Sequence, residues 1–416
     1  MRSRSLALAL AFALALALSG CPGDDDDTAG DDDATGDDDA SGDDDTTDPG
    51  VWDGGSPIVV TVDGQAMIEG SFDGEGPIWW ALDTGAARTY VDENLTGTSN
   101  NVIGDVVIGP LEFDDKQVGS VGLEDAEAFI GWDLGGLAGQ DIFADRFVAL
   151  DYAGLAAHFL DEPPTEPPPA TTATEPSTSV YSLPSSIPVM EASVSGPGGQ
   201  ADIDLIADTG SGVTLLLESV FDAIDDGSLL RLEGYIWGTN YGFDDGFLTR
   251  IPTLSAGDGA AVDVAYSWAV VIPDDNHLWA LLEGNGIFAD GFLGYPFYRR
   301  FVVGVDGHED RYLWWPYEGD DHVDPQEWTR IGVEPTWRDG GFTVEMLYRP
   351  SDAEDQGIEV GDRITAIDGT DLTGSTLDDL KHLLRGDVGD TRVLDLQRGD
   401  LDIQFTVSID DLLPRP

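Results

Sequence analysis

The sequence predicts a mostly β protein: two similar β-barrel lobes in tandem, followed by a smaller α+β module. Three observations carry this. Short β-branched or aromatic runs at residues 58–62, 102–108 and 301–305 alternate with Gly, Asp and Pro turns. Residues 79–86 (WWALDTGA) recur at 204–211 (DLIADTGS), an offset of 125, and the order of features after each copy is the same. A Gly-punctuated run at 357–369, with isoleucines at 358, 364 and 367, closes the chain in a different style.

Taken in order, residues 1–20 read as an address. Arg2 and Arg4 precede an apolar run at 6–18, 13 residues long, which suits a signal-peptide core and is short for a membrane-spanning helix. The run ends in Leu18-Ser19-Gly20-Cys21, which resembles the bacterial lipobox, and Cys21 is the only cysteine of the chain. The resemblance implies a lipid on Cys21, an anchor in a membrane and a place in the bacterial cell envelope. Residues 24–48 repeat three Asp and small residues; nothing there can be buried and like charges repel, so residues 21–55 are expected to be a disordered acidic tether.

Residues 56–160 form the first lobe and 181–317 the second. Between them, 161–180 is rich in Pro and Thr and reads as a linker. A weaker break at 318–322 precedes the last module, 325–413. Helical spacing is best at 217–224 and 376–384.

Charge and cysteine use exclude several classes. Residues 1–50 hold 2 Arg and 14 Asp, so −50 of the formal −62 belongs to the remainder. Such a surface argues against nucleic acid as a partner. One Cys precludes an internal disulfide, and five scattered His without HExxH or CxxC offer no metal site.

The chemistry concentrates in Asp83-Thr84-Gly85-Ala86 and Asp208-Thr209-Gly210-Ser211, each ending a hydrophobic run and each followed by a second one. Two carboxylates held about 3 Å apart cannot both ionise and share a proton. One can then draw a proton from water while the other donates to a carbonyl oxygen. Further on, Gly136-Leu137-Ala138-Gly139 parallels Gly291-Phe292-Leu293-Gly294. These markers resemble the aspartic proteases, specifically retropepsin-like bacterial forms with both lobes on one chain, over residues 56–317. The resemblance implies a bilobal aspartic-protease fold and an endopeptidase acting on peptides or proteins. It makes Asp83 and Asp208 the catalytic pair, with Thr84, Gly85, Thr209, Gly210 and Ser211 in support. It also implies that the apolar-glycine turns pack behind the catalytic loops. No cofactor is implied, because the nucleophile is water. Ser211 can donate to Asp208 whereas Ala86 cannot donate to Asp83, so Asp208 is expected to ionise first. Residues 97–104 offer no flap tyrosine; Gly234-Tyr235-Ile236-Trp237-Gly238 is the flap candidate. The rival reading is a catalytically inactive, peptide-binding surface lipoprotein that keeps the fold. It would be favoured by splayed lobes or by an Asp paired with Arg88.

Residues 349–369 resemble the bacterial PDZ domain, with Asp352 where Pro is usual and Gln356 where Ala is usual. That resemblance implies recognition of peptide C-termini. The carboxylate would be taken by the loop Ile331-Gly332-Val333, and Leu377, Leu380, Leu383 and Leu384 would line the opposite wall.

Overall fold

The computed structural model describes residues 50–239, 242–257, 262–319 and 323–415. Cys21, the signal segment and nearly all of the tether lie outside the described residues.

The protein is mostly β, as expected, and the repeat is a structural one. In lobe 1, Ala66–Phe72 pairs antiparallel with Glu75–Leu82, and Leu134–Ala138 returns parallel to Glu75–Leu82 and antiparallel to Tyr90–Asp92. Lobe 2 repeats this with Val189–Gly196, Gly199–Ala207, Gly291–Leu293 and Leu215–Leu217. The strand ahead of each Asp-Thr-Gly ends in apolar residues buried on both faces, because the parallel return strand closes its second edge. Several connections are two-residue Asp-Gly turns with both φ positive, at 73–74, 339–340 and 368–369. This is the backbone that a right-twisted hairpin demands, and it accounts for part of the Asp and Gly content.

The lobes share a six-stranded antiparallel sheet in the order Ser56–Val60, Ala156–Leu160, Phe147–Asp151, Phe301–Asp306, Arg311–Pro316, Ser177–Ser182. The stretch 161–180 is therefore not a free linker throughout. Thr171 bridges Tyr317, Thr172 N donates to Pro316 O at 2.9 Å, and the strand beginning at Ser177 completes the sheet. Pro/Thr composition signals the lack of a core face, but an edge strand needs only its backbone to pair.

Lobe 2 has a strand without counterpart in lobe 1. Leu232–Thr239 forms a hairpin with Gly242–Ala256, whereas lobe 1 runs from Tyr90–Asp92 through the short helix Glu93–Thr96 to Val102–Ile108. The flap candidate Gly234-Tyr235-Ile236-Trp237-Gly238 lies on this extra strand.

The expected helices are present as Glu218–Ile224 and Leu377–Leu383, the second capped reciprocally by Thr376 and Asp379. In the last module Val333–Arg338, Gly341–Leu347, Arg363–Ile367, Thr391–Arg398 and Leu401–Ser408 form the sheet, in that order. Ile358, Ile364 and Ile367 are in its own core. The two departures from the PDZ pattern answer each other: Gln356 Nε2 donates to Asp352 Oδ1 at 3.2 Å, and Asp352 Oδ2 accepts the Ser408 amide at 2.6 Å. Proline could do neither.

The module docks on lobe 2 through backbone. Glu233 N donates to Arg349 O at 2.8 Å and Arg349 N to Glu233 O at 2.9 Å. A bulge follows at Gly234, whose φ is 96° and where a Cβ would stand 2.1 Å from Leu347 O. Gly234→Ala should therefore cost about 2–3 kcal/mol in chemical denaturation, combining positive φ with displaced backbone. Gly227→Ala, with a similar φ of 91° and open space, should cost only about 1 kcal/mol. Equal costs would show that the docking contact is slack.

Candidate active site

Both Asp-Thr-Gly loops leave the ends of their strands against the parallel return strands: Asp83 N donates to Ala138 O at 3.0 Å and Asp208 N to Leu293 O at 3.1 Å. The apolar-glycine turns lie behind them, as the resemblance implied. Gln140 N donates to Ala86 O at 2.7 Å and Tyr295 N to Ser211 O at 2.9 Å. At Gly139 and Gly294 a Cβ would meet backbone oxygen at 2.1 and 2.0 Å, so larger residues are barred.

The threonines lock the loops to one another. Thr84 N donates to Thr209 Oγ1 and Thr209 N to Thr84 Oγ1, both at 3.0 Å. The hydroxyls donate onward across the two lobes, Thr84 to Ala207 O at 2.7 Å and Thr209 to Leu82 O at 2.8 Å. Both threonines are fully buried. Each hydroxyl thus accepts one bond and donates another, which fixes the two loops about a local two-fold axis. Tyr312 OH adds a bond to Thr84 Oγ1 at 3.1 Å.

The glycines complete the symmetry. A Cβ on Gly85 would stand 2.4 Å from Asp208 Cγ, and one on Gly210 2.4 Å from Asp83 Cγ. Each carboxyl therefore rests on the opposite loop, and the two form one buried, interacting pair. Carboxyls set this closely cannot readily both ionise. Asp83 Oδ1 also accepts the Ala86 amide at 3.0 Å, and Asp208 Oδ1 the Gly210 amide at 2.9 Å.

Burial raises Asp83 to about 6, against the hydrogen bonds from Asp208 and from the amides of Ala86 and Gly85. Asp208 is pushed well above the carboxylate range by burial and by the facing Asp83 charge. Ser211 Oγ donates to Val213 O at 2.8 Å and not to Asp208, so the donor that was expected to make Asp208 ionise first is engaged elsewhere, and the buried pair titrates as a unit. Arg88 does not compete for Asp83; it donates to Asn101 Oδ1 at 2.6 Å and covers the Tyr90 ring.

At the PDZ loop the structure differs from expectation. Ile331, Gly332 and Val333 are buried, Ile331 N donates to Leu384 O at 3.0 Å, and Val333 N donates to Ile331 O at 2.9 Å. Two of the amides assigned to a peptide carboxylate are thus already used inside the module.

Sequence reasoning missed a buried charge cluster where lobe 1 meets the module. Lys381 Nζ contacts Asp63 Oδ2 at 2.5 Å and Glu334 Oε1 at 3.1 Å, and Arg330 Nη2 contacts Glu334 Oε2 at 2.7 Å. The available signal was Lys381 itself, one of two lysines in the chain and set among Leu377, Leu380 and Leu384 on a helix's apolar face. Among the described residues no three His, Cys, Asp or Glu side chains gather as a metal site.

A family model for the PDZ domain matches residues 350–398. Among solved structures, the chain is similar to a photosystem II D1 C-terminal processing protease, at 24% identity over 21% of this chain and 24% of that one, with a TM-score of 0.20. It thus spans about a quarter of that protease. It is also similar to the aspartic proteinase from Irpex lacteus, at 12% identity over 64% of this chain and 97% of that one, with a TM-score of 0.42. No curated protein matches the chain. The carboxy-terminal module, over the matched residues, is a PDZ domain.

Proposed function

We propose that the protein is an aspartic-type endopeptidase with a PDZ module, acting on peptide or protein substrates. The observation that carries this reading is the pair of reciprocally locked loops, each of which holds its carboxyl against the glycine of the other. A water between the carboxyls loses a proton to ionised Asp83 as its oxygen bonds to the scissile carbonyl carbon. Asp208 passes its proton to the carbonyl oxygen, giving a neutral tetrahedral diol. Collapse of the diol breaks the C–N bond, with the proton held on Asp83 delivered to the leaving nitrogen and a hydroxyl proton returned to Asp208. The locked loops supply preorganisation, since neither carboxyl can rotate away. Cys21, as the lipidated residue, would tether this activity to a membrane in the bacterial envelope through the acidic segment.

The test is cleavage of a mixed peptide library between pH 3 and 9. Below about pH 6 both carboxyls are protonated and no base remains, so activity should fall as pH drops through that value. It should fall again at high pH as Asp208 loses its proton. No cleavage at any pH would count against the reading.

A further inference from the structure

A PDZ ligand adds as a strand along an exposed sheet edge, and its carboxylate is held by amides of the preceding loop. Here the end strand is Val333–Arg338 and the facing wall is the helix Leu377–Leu383. Besides the engaged amides of Ile331 and Val333, Pro335 has no N–H to give to a ladder. Residues 333–336 are buried although their strand ends the sheet, so something covers them.

The cover is a piece of lobe 1. The helix Glu124–Ile130 packs beside Val333–Arg338, with Arg338 facing Asp125 at 3.8 Å. Lys381 Nζ donates to Phe129 O at 3.3 Å and stands 4.9 Å over the Phe129 ring. Gly131 ends the helix at φ 76°, with its Cβ position 2.5 Å from Leu377 Cβ. Trp132 Nε1 then donates to Asp378 Oδ2 at 3.1 Å. One short segment therefore touches the end strand, the start of the wall helix and its buried lysine.

We propose that residues 124–132 are the resident ligand of the PDZ groove, that the loop with the engaged amides rearranges when they leave, and that a peptide with a free apolar C-terminus thereby competes with them for the module. Because the module also bridges Glu233 on lobe 2, the resident segment closes a clasp across both lobes, and displacement opens it. This does not depend on the aspartyl pair being active.

Hydrogen exchange on the full chain tests it, comparing wild type with Trp132→Phe/Asp378→Ala, which removes the indole–carboxylate bond and keeps an aromatic ring at 132. Amides of residues 124–132 and 377–384 should exchange about 3-fold or more faster together, with Thr391–Ser408 unchanged. A fluorescent random hexapeptide pool ending in free Val, Leu or Ile should bind the variant at least ten-fold more tightly than wild type, and its C-terminally amidated counterpart should not. Unchanged exchange in either segment overturns the proposal. So does equal peptide affinity for the two proteins, or faster exchange with no peptide binding to either.

Discussion

Asp83→Asn and Asp208→Asn should each lower peptide cleavage by at least about 10³-fold, and each should make the protein more stable at pH 8. The activity loss follows from chemistry that needs both a base and an acid in one pair; an amide at either position is neither. The stability gain follows from where charge sits. Asp83 is buried and raised to about 6, so above that pH the fold carries a desolvated carboxylate that the unfolded chain would solvate. An acid whose folded value is raised weakens the fold as pH climbs from about 4 to 6, and the penalty is then constant. Removing it with Asn should return about 1–3 kcal/mol at pH 8 and nothing at pH 3.5. Asp208 is raised by burial and by the facing Asp83 charge, so the same linkage applies to it and Asp208→Asn should gain at least as much at pH 8. Calorimetry at the two pH values measures both gains. Cleavage surviving in both variants would leave the peptide-binding reading of the fold in possession. A gain at pH 8 in neither variant would mean that water already solvates the pair.

The parts of this site legible in the sequence were those fixed by local backbone. Asp83-Thr84-Gly85 and Asp208-Thr209-Gly210 declare themselves because no other residues suit loops that press against each other's carboxyls. The lobe duplication was visible because each lobe repeats the same order of apolar strands and glycine turns. Ser211 shows where that legibility ends: its neighbours are obvious, but its hydroxyl chooses between Asp208 and the carbonyl of Val213, and a rotamer is not written in a motif. Tyr312 reaches Thr84 from 228 positions away, so only the assembled fold reveals it. The segment 161–180 misleads in the other direction, since its composition describes side chains while its structural role at Ser177–Ser182 is carried by backbone. The docked PDZ module is the largest such gap. Its own core could be read from Ile358, Ile364 and Ile367, but its attachment depends on Asp63, Phe129 and Trp132, which have no marking as interface residues in a linear reading.

Lys381→Met should destabilise the junction between lobe 1 and the module by about 3–5 kcal/mol, a loss typical of one partner removed from a buried ion cluster. Lys381 is fully buried and serves both Asp63 and Glu334, while Arg330 and Tyr348 OH contact only the second. Without it, Asp63 loses its cationic partner and stands near Glu334 in a region of low polarity. Burial alone would raise Glu334, but Arg330, Lys381 and Tyr348 together hold it down at about 2. Its contribution is therefore complete above about pH 4.5 and is lost as pH falls toward 2. In Lys381→Met that loss should be smaller and complete at a higher pH, since the remaining cation is Arg330 alone. The compensating change is Asp63→Asn. Lys381→Met/Asp63→Asn removes one charge of each sign and leaves Glu334 with Arg330, so it should recover most of the stability that Lys381→Met loses. A double-mutant cycle by urea denaturation at pH 7 measures the coupling directly. A cost below about 1 kcal/mol for Lys381→Met would mean that water reaches the cluster and that the module is held by its apolar contacts and the Glu233–Arg349 bridge. A large cost that Asp63→Asn leaves untouched would instead assign the loss to packing of the lysine stem against Phe129, because only the charge term can be returned by neutralising Asp63.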